Sequence, residues 1–594
     1  MQNQNISHQK MVTLYTKTKG NRSMDAESVI RNKDKCKVRN KKEYHLNLCR
    51  RSSLIFIFIV FIHAFALSQE NRQGYMFRLV LKDKRNTPYS INKPEEFLSQ
   101  KAIERRLKQG LRIDETDLPV APSYLDAIRG KGAEIKAVSK WLNTVVVYFP
   151  DSIMIESMRE LPFVDSVTWV WVGKSLSDNK LKFGDSTDGQ KLNVPADASY
   201  YGTAYEQIHM HRGDRLHEFG FRGKGMTIAV IDATFTSVDK IDFFDTSRIL
   251  GFRNFTHQGI LPPSSDEEHG TRVLSCMLAN KPGEMVGTAP EANYYLIQTE
   301  VLQEEYEAEE DYWIAGVEYA DSLGVDIITS SLGYTTFDEM SMNHTHSQLN
   351  GKTAQVSKAA SMASEKGMLL FVAAGNERYQ KWGKIGFPAD ADGIVTVGGV
   401  NSQKEISYFS SVGYTADGRI KPDLMAKGTG VSVVYHQSQS GFLYPYANGT
   451  SFSTPILAGL GACLWQALPD LTNLQMIDLL KKNADRYQHP DSLYGYGIPD
   501  VYLAYLRTLN LNGIVPVESP TVFRFDSATN LLYVNLSVDD CINSKLQIFS
   551  VLGNRVLQKK SLTGPVDMQS FTKGVYIAVL ECNAKRYVRK FIKL

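Results

Sequence analysis

Cysteine is scarce, with six in 594 residues, and Cys36 and Cys49 fall within the first 53. The other four, Cys276, Cys463, Cys541 and Cys582, lack metal-ligand spacing, which excludes a cysteine-built metal module. An excess of one charge is also missing. The 67 Lys and Arg nearly balance the 64 Asp and Glu, leaving a formal net charge of +3, so nothing draws the chain to nucleic acid. No internal repeat stands out, and no apolar run reaches the ~20 residues a membrane-spanning helix needs. What is present, 43% hydrophobic and 22% charged residues, is the composition of a soluble globular protein. The length requires several domains, because single cores stop growing at roughly 250 residues.

The longest apolar run, Leu54 to Leu67, is broken only by His63 and follows a polar, basic stretch ending in Cys49-Arg50-Arg51-Ser52-Ser53. It resembles the apolar region of a signal peptide, with Ala66-Leu67-Ser68 supplying small residues for cleavage. A mature start near Gln69 is expected. The 53 residues before the run are long for such a leader, so a downstream start or an uncleaved anchor are the alternatives. Every version puts the remaining chain outside the cytoplasm.

After this leader (1–68), residues 69–174 read as a small α+β unit. Alternating Tyr75, Phe77, Leu79 and Leu81 open it; helices are expected at Phe97–Gln109, Ser123–Arg129 and Ile153–Leu161, and strands at Trp141–Phe149 and Ser166–Val172. A polar connection, 175–199, follows and is exposed by composition. Over 200–509, apolar runs alternate with helical ones: Thr227–Ile231, Tyr294–Ile297, Val325–Ile328, Met368–Ala373 and Ile394–Val397. Continuous apolar strands belong to a sheet buried on both faces, hence a parallel α/β domain. Two prolines mark 510–520 as a linker, and 521–594 turns all-β, as in a small sandwich.

Four residues in the α/β domain have the types and positions that catalysis uses. Asp232 ends the strand Thr227-Ile228-Ala229-Val230-Ile231, at the carboxyl edge where such sheets place ligands, although an aspartate there commonly just begins a turn. His269, in Asp266-Glu267-Glu268-His269-Gly270-Thr271, stands directly before an apolar helix; its plain alternative is a solvated or capping histidine. Ser451, in Asn448-Gly449-Thr450-Ser451-Phe452-Ser453-Thr454-Pro455, could merely cap the helix expected from Ile456, with Pro455 in its first turn. Asn376 follows Phe371-Val372-Ala373-Ala374-Gly375 and is either a turn residue or, facing Ser451, an oxyanion donor.

Together these segments resemble the subtilase superfamily over about Tyr200 to Leu509. The resemblance rests on Asp232 in its strand, His269-Gly270-Thr271, Ser330-Ser331-Leu332-Gly333, Ala373-Ala374-Gly375-Asn376 and Gly449 to Pro455. Gly287-Thr288-Ala289-Pro290 and Lys421-Pro422-Asp423 are similar to connecting motifs of the family. The resemblance implies a secreted serine endopeptidase with a parallel-sheet α/β catalytic domain. In it, Ser451 is nucleophile, His269 base, Asp232 the group that orients the imidazole, and Asn376 with the Ser451 amide an oxyanion hole. Ser331, Leu332 and Gly333 would lay the substrate backbone alongside. Protein or peptide substrates are expected, with no cofactor for catalysis; calcium, a common stabiliser in the family, finds no run of oxygen ligands here, and metal content stays unassigned.

Arg272 stands where many subtilases carry a second His, Lys427 where they carry Pro, and Tyr334 where a second glycine is common. The first two put local packing in question; the third places a bulky ring where substrate subsites are expected. Tyr75 to Val172, with Ser139-Lys140-Trp141-Leu142-Asn143, is similar to the pro-region of secreted bacterial subtilases, which implies an intramolecular inhibitor or folding aid removed within Ser175–Ser199. The alternative is a permanent packing domain. The tail, with Ile548 to Asn554, Lys573-Gly574-Val575-Tyr576 and a final Arg589 to Leu594, resembles type IX secretion sorting domains and implies a secretion-machinery partner; a plain accessory β-sandwich is the alternative. The competing function is a catalytically silent subtilase-like binding or adhesion protein. Cys541 and Cys582 could pair in an oxidising compartment.

Overall fold

The computed structural model describes residues 74–173, 187–188, 199–256, 268–302, 304–437, 441–443, 446–508, 523–526, 529–534, 544–560, 565–582 and 585–593. The leader with its expected cleavage site and Cys541 lie outside these residues. Among the described residues no helix is long and apolar enough to cross a membrane.

Seven strands form one parallel sheet, in the spatial order Leu424–Lys427, Val395–Val400, Leu369–Ala373, Ile327–Ser330, Thr227–Asp232, Asn293–Gln298 and Ile249–Asn254. Thr227–Asp232 and Leu369–Ala373 are buried at every position, because helices cover both faces. On one face His269–Leu278 and Thr450–Ala467 pack against the sheet; on the other, Ala308–Leu323 and Gln355–Glu365 do. Two strands escape the reading from continuous apolar runs. Ile249–Asn254 is one edge of the sheet and has no fully buried residue, and Leu424–Lys427, the other edge, is four residues long.

Chain order along the sheet reverses at Thr227–Asp232. Later strands leave to one side from Ile327–Ser330 onward, while Asn293–Gln298 and Ile249–Asn254 lie on the other. Crossovers diverge at such a point and leave a crevice outside the carboxyl ends. Asp232 and Ser331 stand at that crevice, one at each of the two central strands.

Residues 74–173 form a four-stranded antiparallel sheet in the order Glu134–Ser139, Thr144–Phe149, Tyr75–Leu81, Val164–Val172, with helices Gln100–Lys108 and Pro122–Gly130. Glu134–Ser139 is an additional strand; its polar first residues hide it from pattern reading. Trp141, expected to start the next strand, instead sits in the turn of this hairpin and joins the core beneath helix Ala308–Leu323.

That helix, AEEDYWIAGVEYADSL, buries Asp311, Glu318 and Asp321, residues usually left in water. The small N-terminal unit covers them and supplies partners. Arg78 forks onto Asp311 at 2.7 and 2.8 Å and reaches Glu307 at 2.8 Å. Glu318 accepts from Ser139 Oγ and from the Lys140 and Trp141 amides. Asp321 receives Arg105 at 2.5 Å and Arg106 at 2.9 Å, and Arg106 also holds Asp117. Buried charges persist only when paired in this way.

The tail forms two small antiparallel sheets, Phe523–Asp526, Leu531–Val534, Val566–Asp567 and Arg555–Lys560, Lys545–Ser550, Gly574–Cys582, Lys585–Lys593, which share one apolar core around Leu532, Leu546, Ile548 and Leu580. Cys276 and Cys463 are buried in helices as small apolar thiols, with burial pushing both thiols up.

Candidate active site

Asp232 is fully buried, and its Oδ1 accepts from the Ala233 amide at 2.8 Å and meets His269 Nδ1 at 2.5 Å. A carboxylate only accepts, so the imidazole carries its hydrogen on Nδ1 and its lone pair on Nε2. His269 opens the helix His269–Leu278, where the positive end of the dipole opposes an imidazolium. The buried carboxylate counters that effect.

Such proximity depends on the next residue. A Cβ on Gly270 would lie 2.4 Å from the Thr234 carbonyl oxygen, 2.9 Å from the Phe235 ring and 3.0 Å from Asp232 Cβ. Thr271 then ties the helix down by donating to the Thr236 carbonyl at 2.9 Å.

Ser451 is 6% exposed and lies inside helix Thr450–Ala467, which begins six residues before the expected start at Ile456. Pro455 is therefore in the second turn. Lacking an amide hydrogen, it leaves the carbonyl four residues back without its helical bond. That carbonyl belongs to Ser451, and Ser331 Oγ donates to it at 2.7 Å. In the other direction, Ser451 Oγ donates to the Ser331 carbonyl at 3.5 Å. The His269 ring lies 6.0 Å, centre to centre, from the Phe452 ring, beside the residue after Ser451.

Asn376 is half-buried just past strand Leu369–Ala373. Its Oδ1 accepts from both the Thr450 amide, 2.9 Å, and the Thr450 hydroxyl, 3.0 Å, while that hydroxyl accepts from the Gly375 amide at 3.2 Å. With the oxygen committed, the side-chain NH2 faces away from Thr450. Sequence reading gave Thr450 no role, because a threonine between Gly and Ser has no local signature of what it bonds.

Asp232 thus meets His269 and Ser331 meets Ser451, while Asn376 holds Thr450 just before Ser451 and the His269 ring lies near Phe452 just after it. Leu332 continues buried from Ser331, and Gly333 is exposed. Tyr334 departs from the expected obstruction: its ring is buried in the core, its hydroxyl donates to Glu300 at 2.6 Å and its backbone pairs with Phe387. Lys427 is buried with its ammonium on Glu206, and Arg272 stacks 4.1 Å over Tyr435, which accounts for both substitutions as packing.

Among the described residues, Glu300, Glu305 and Glu309 bring carboxylate oxygens within 4.8 Å of one another and are the group that could hold a cation. Part of their capacity is used internally: Glu309 accepts from the Val301 and Tyr306 amides at 2.7 and 3.2 Å, and Glu300 from Tyr334.

Residues 223–497 match the subtilase family. Subtilisin NAT of Bacillus subtilis subsp. natto is 30% identical over 291 residues, covering 49% of this chain and 68% of that protein. The chain belongs to the subtilase family of serine-type endopeptidases. Serine protease AprX of Bacillus subtilis (strain 168) is 30% identical over 303 residues, 46% of this subtilase and 65% of AprX. Subtilisin of Bacillus pumilus is 29% identical over 291 residues, 49% of this chain and 94% of that one. Residues 76–186 match the peptidase S8 propeptide domain of Bacteroidota, and residues 528–594 a secretion system C-terminal sorting domain. This subtilase therefore carries an intramolecular pro-region, and its sorting domain marks it for export, to the outer surface or beyond.

Proposed function

We propose that this subtilase hydrolyses peptide bonds within proteins through an acyl-enzyme, with Ser451 as nucleophile, His269 as base then acid, and Asp232 as the orienting carboxylate. The observation that carries the reading is the 2.5 Å contact between Asp232 and His269 Nδ1, because it leaves Nε2 as the basic nitrogen. His269 takes the Ser451 proton as the hydroxyl oxygen attacks the scissile carbonyl, and returns it to the leaving amine. Water then repeats the sequence to release the acid. Asn376 and the Ser451 amide donate to the oxyanion, a contribution of ~3–4 kcal/mol per side-chain donor where tested. Ser331 to Gly333 align the substrate backbone. Side chains and water account for every proton transferred, so catalysis requires no cofactor.

The pro-region is proposed to act as folding aid and temporary inhibitor, and the tail to engage the secretion machinery. A serine-directed fluorophosphonate, applied after pro-region removal, is the test: wild type labels and Ser451→Ala does not. An unlabelled wild type favours a silent binding protein instead.

A further inference from the structure

Beyond the exposed Gly333 the chain folds back on itself as a closed loop. The Tyr334 backbone pairs in both directions with Phe387, its amide donating at 2.9 Å and its carbonyl accepting at 3.0 Å. The Thr335 carbonyl accepts from the His344 amide at 3.0 Å, and Asn343 Oδ1 accepts from the Phe337 amide at 2.6 Å. Asn343 and His344 therefore tie the loop across its neck. The His344 side chain then fixes that neck to two further elements. Its ring lies 4.3 Å, centre to centre, from Phe387, the partner of Tyr334, and 5.5 Å from Phe337. Its Nε2 donates to Glu310 Oε1 at 2.5 Å on helix Ala308–Leu323. Glu310 is 1% exposed, and a carboxylate so deep persists only with a partner.

We infer that His344 is a positioning residue for substrate: braced on Glu310, it holds Phe387 and Tyr334 in place and so fixes the backbone at Gly333 along which a longer peptide aligns. The inference rests on the reading of Ser331 to Gly333 as the strand that aligns substrate. Ser331 bonds to Ser451, and each further residue of an extended strand lies about 3.3 Å farther off. What His344 fixes is therefore contact with substrate residues away from the scissile bond, and losing it raises KM for long substrates without lowering kcat.

The brace depends on a proton. The charges facing His344 come from the helix, with Glu310 bonded to it and Glu307 farther away. Its own loop offers Gln348 as a hydrogen-bonding partner, while Asp338 and Glu339 accept from the Glu305 and Ser341 amides instead. The Phe387 side presents an uncharged ring. Arg78, the pro-region cation near Glu310, departs with the pro-region. Burial opposes the imidazolium, but the Glu310 and Glu307 charges outweigh it and hold His344 above the usual histidine range. The brace is therefore complete below pH ~6.5 and is lost as pH rises through the raised value.

The test uses mature enzyme, freed of the pro-region, with a short internally quenched peptide and the same peptide lengthened on both sides of the cut. Wild type is expected to show a lower KM for the long peptide, an advantage that shrinks as pH rises through the titration of His344. His344→Ala is expected to reduce that advantage roughly tenfold and to remove its pH dependence, with kcat on both peptides and KM for the short one little changed. His344→Gln keeps a donor for Glu310 without the charge and is expected to restore most of the advantage, level across pH. An equal loss on both peptides in H344A, with no rescue in H344Q, overturns the inference, because His344 then only supports the fold. Should H344A not fold, H344Q alone decides: an advantage that still declines with rising pH overturns it. Gly333→Pro removes an amide hydrogen from the strand itself and separates the two ideas. If G333P lowers the advantage and H344A does not, the strand reading stands and the role of His344 falls. If wild type gains nothing from length, or G333P leaves the gain intact, the strand reading falls and the inference with it.

Discussion

Ser331 and Ser451 hold each other through both side chains and both carbonyls: the Ser331 hydroxyl donates to the Ser451 carbonyl at 2.7 Å, and the Ser451 hydroxyl to the Ser331 carbonyl at 3.5 Å. Pro455 makes the first bond available by withholding the helical one. The end of a central strand thereby sets the position of the proposed nucleophile. Replacing Ser331 with Ala strands a buried carbonyl, a loss of ~1–3 kcal/mol, and is expected to lower kcat roughly tenfold to a hundredfold with KM little changed. Steady-state kinetics on a chromogenic peptide check this; an unchanged kcat would show the bond is incidental.

Thr450 acts through Asn376. In Thr450→Ala the Asn376 oxygen keeps the amide donor and loses the hydroxyl, so kcat is expected to fall about tenfold, with Thr450→Ser restoring it. Asn376→Ala removes the oxyanion donor itself and is expected to cost about 100- to 1,000-fold in kcat. Equal effects from T450A and T450S would argue against this linkage.

Gly270→Ala tests the approach of the histidine helix to Asp232. With the Thr234 carbonyl 2.4 Å from the added carbon, either the helix or the loop must move, at ~1–3 kcal/mol. Lower thermal stability and a loss of activity larger than the stability loss explains are both expected, measured by calorimetry and by kinetics well below the melting temperature.

Asp321 balances two buried arginines of the pro-region. Asp321→Ala leaves Arg105 without its carboxylate in the precursor, a cost of ~3–5 kcal/mol. The precursor is expected to melt lower, whereas mature enzyme, already free of the pro-region, changes much less. Comparing melting curves of the two forms decides it.

Acid should destabilise the catalytic domain through two histidines. Burial pushes His211 down to about 4, despite its 3.0 Å contact with the Pro499 carbonyl, and pushes His217 down to about 3, with Arg222 adding to the effect. Both are below the ~6.5 of an unfolded histidine, so their neutral forms favour the fold. The contribution is complete above pH ~6.5 and is lost as pH falls toward those values, ~3 kcal/mol for His211 across its window. Urea unfolding between pH 7 and 4 is expected to show a shallower decline in His211→Gln than in wild type.

Much of the organisation was legible because it rests on local pattern. Thr227 to Ile231 and Met368 to Ala373 are apolar without interruption, which only a doubly covered strand tolerates, and the sequence motifs around Asp232, His269, Asn376 and Ser451 lie close to the ends of such elements. The pro-region hairpin was missed at Glu134–Ser139 because its exposed face is polar, and helix Ala308–Leu323 because its buried acids depend on arginines more than 200 residues away.

Residue order alone specified the central buried strands, the parallel α/β class and the residue types able to carry out serine chemistry, since periodicity and motif act over a few neighbours. Folding in three dimensions decided the rest: that Asp232 meets His269, that Thr450 turns Asn376, that Tyr334 goes inward, and that His344 meets Glu310. Those outcomes join segments far apart in the chain, and hydrogen bonds and close packing act on distance in space, which no spacing along the sequence encodes.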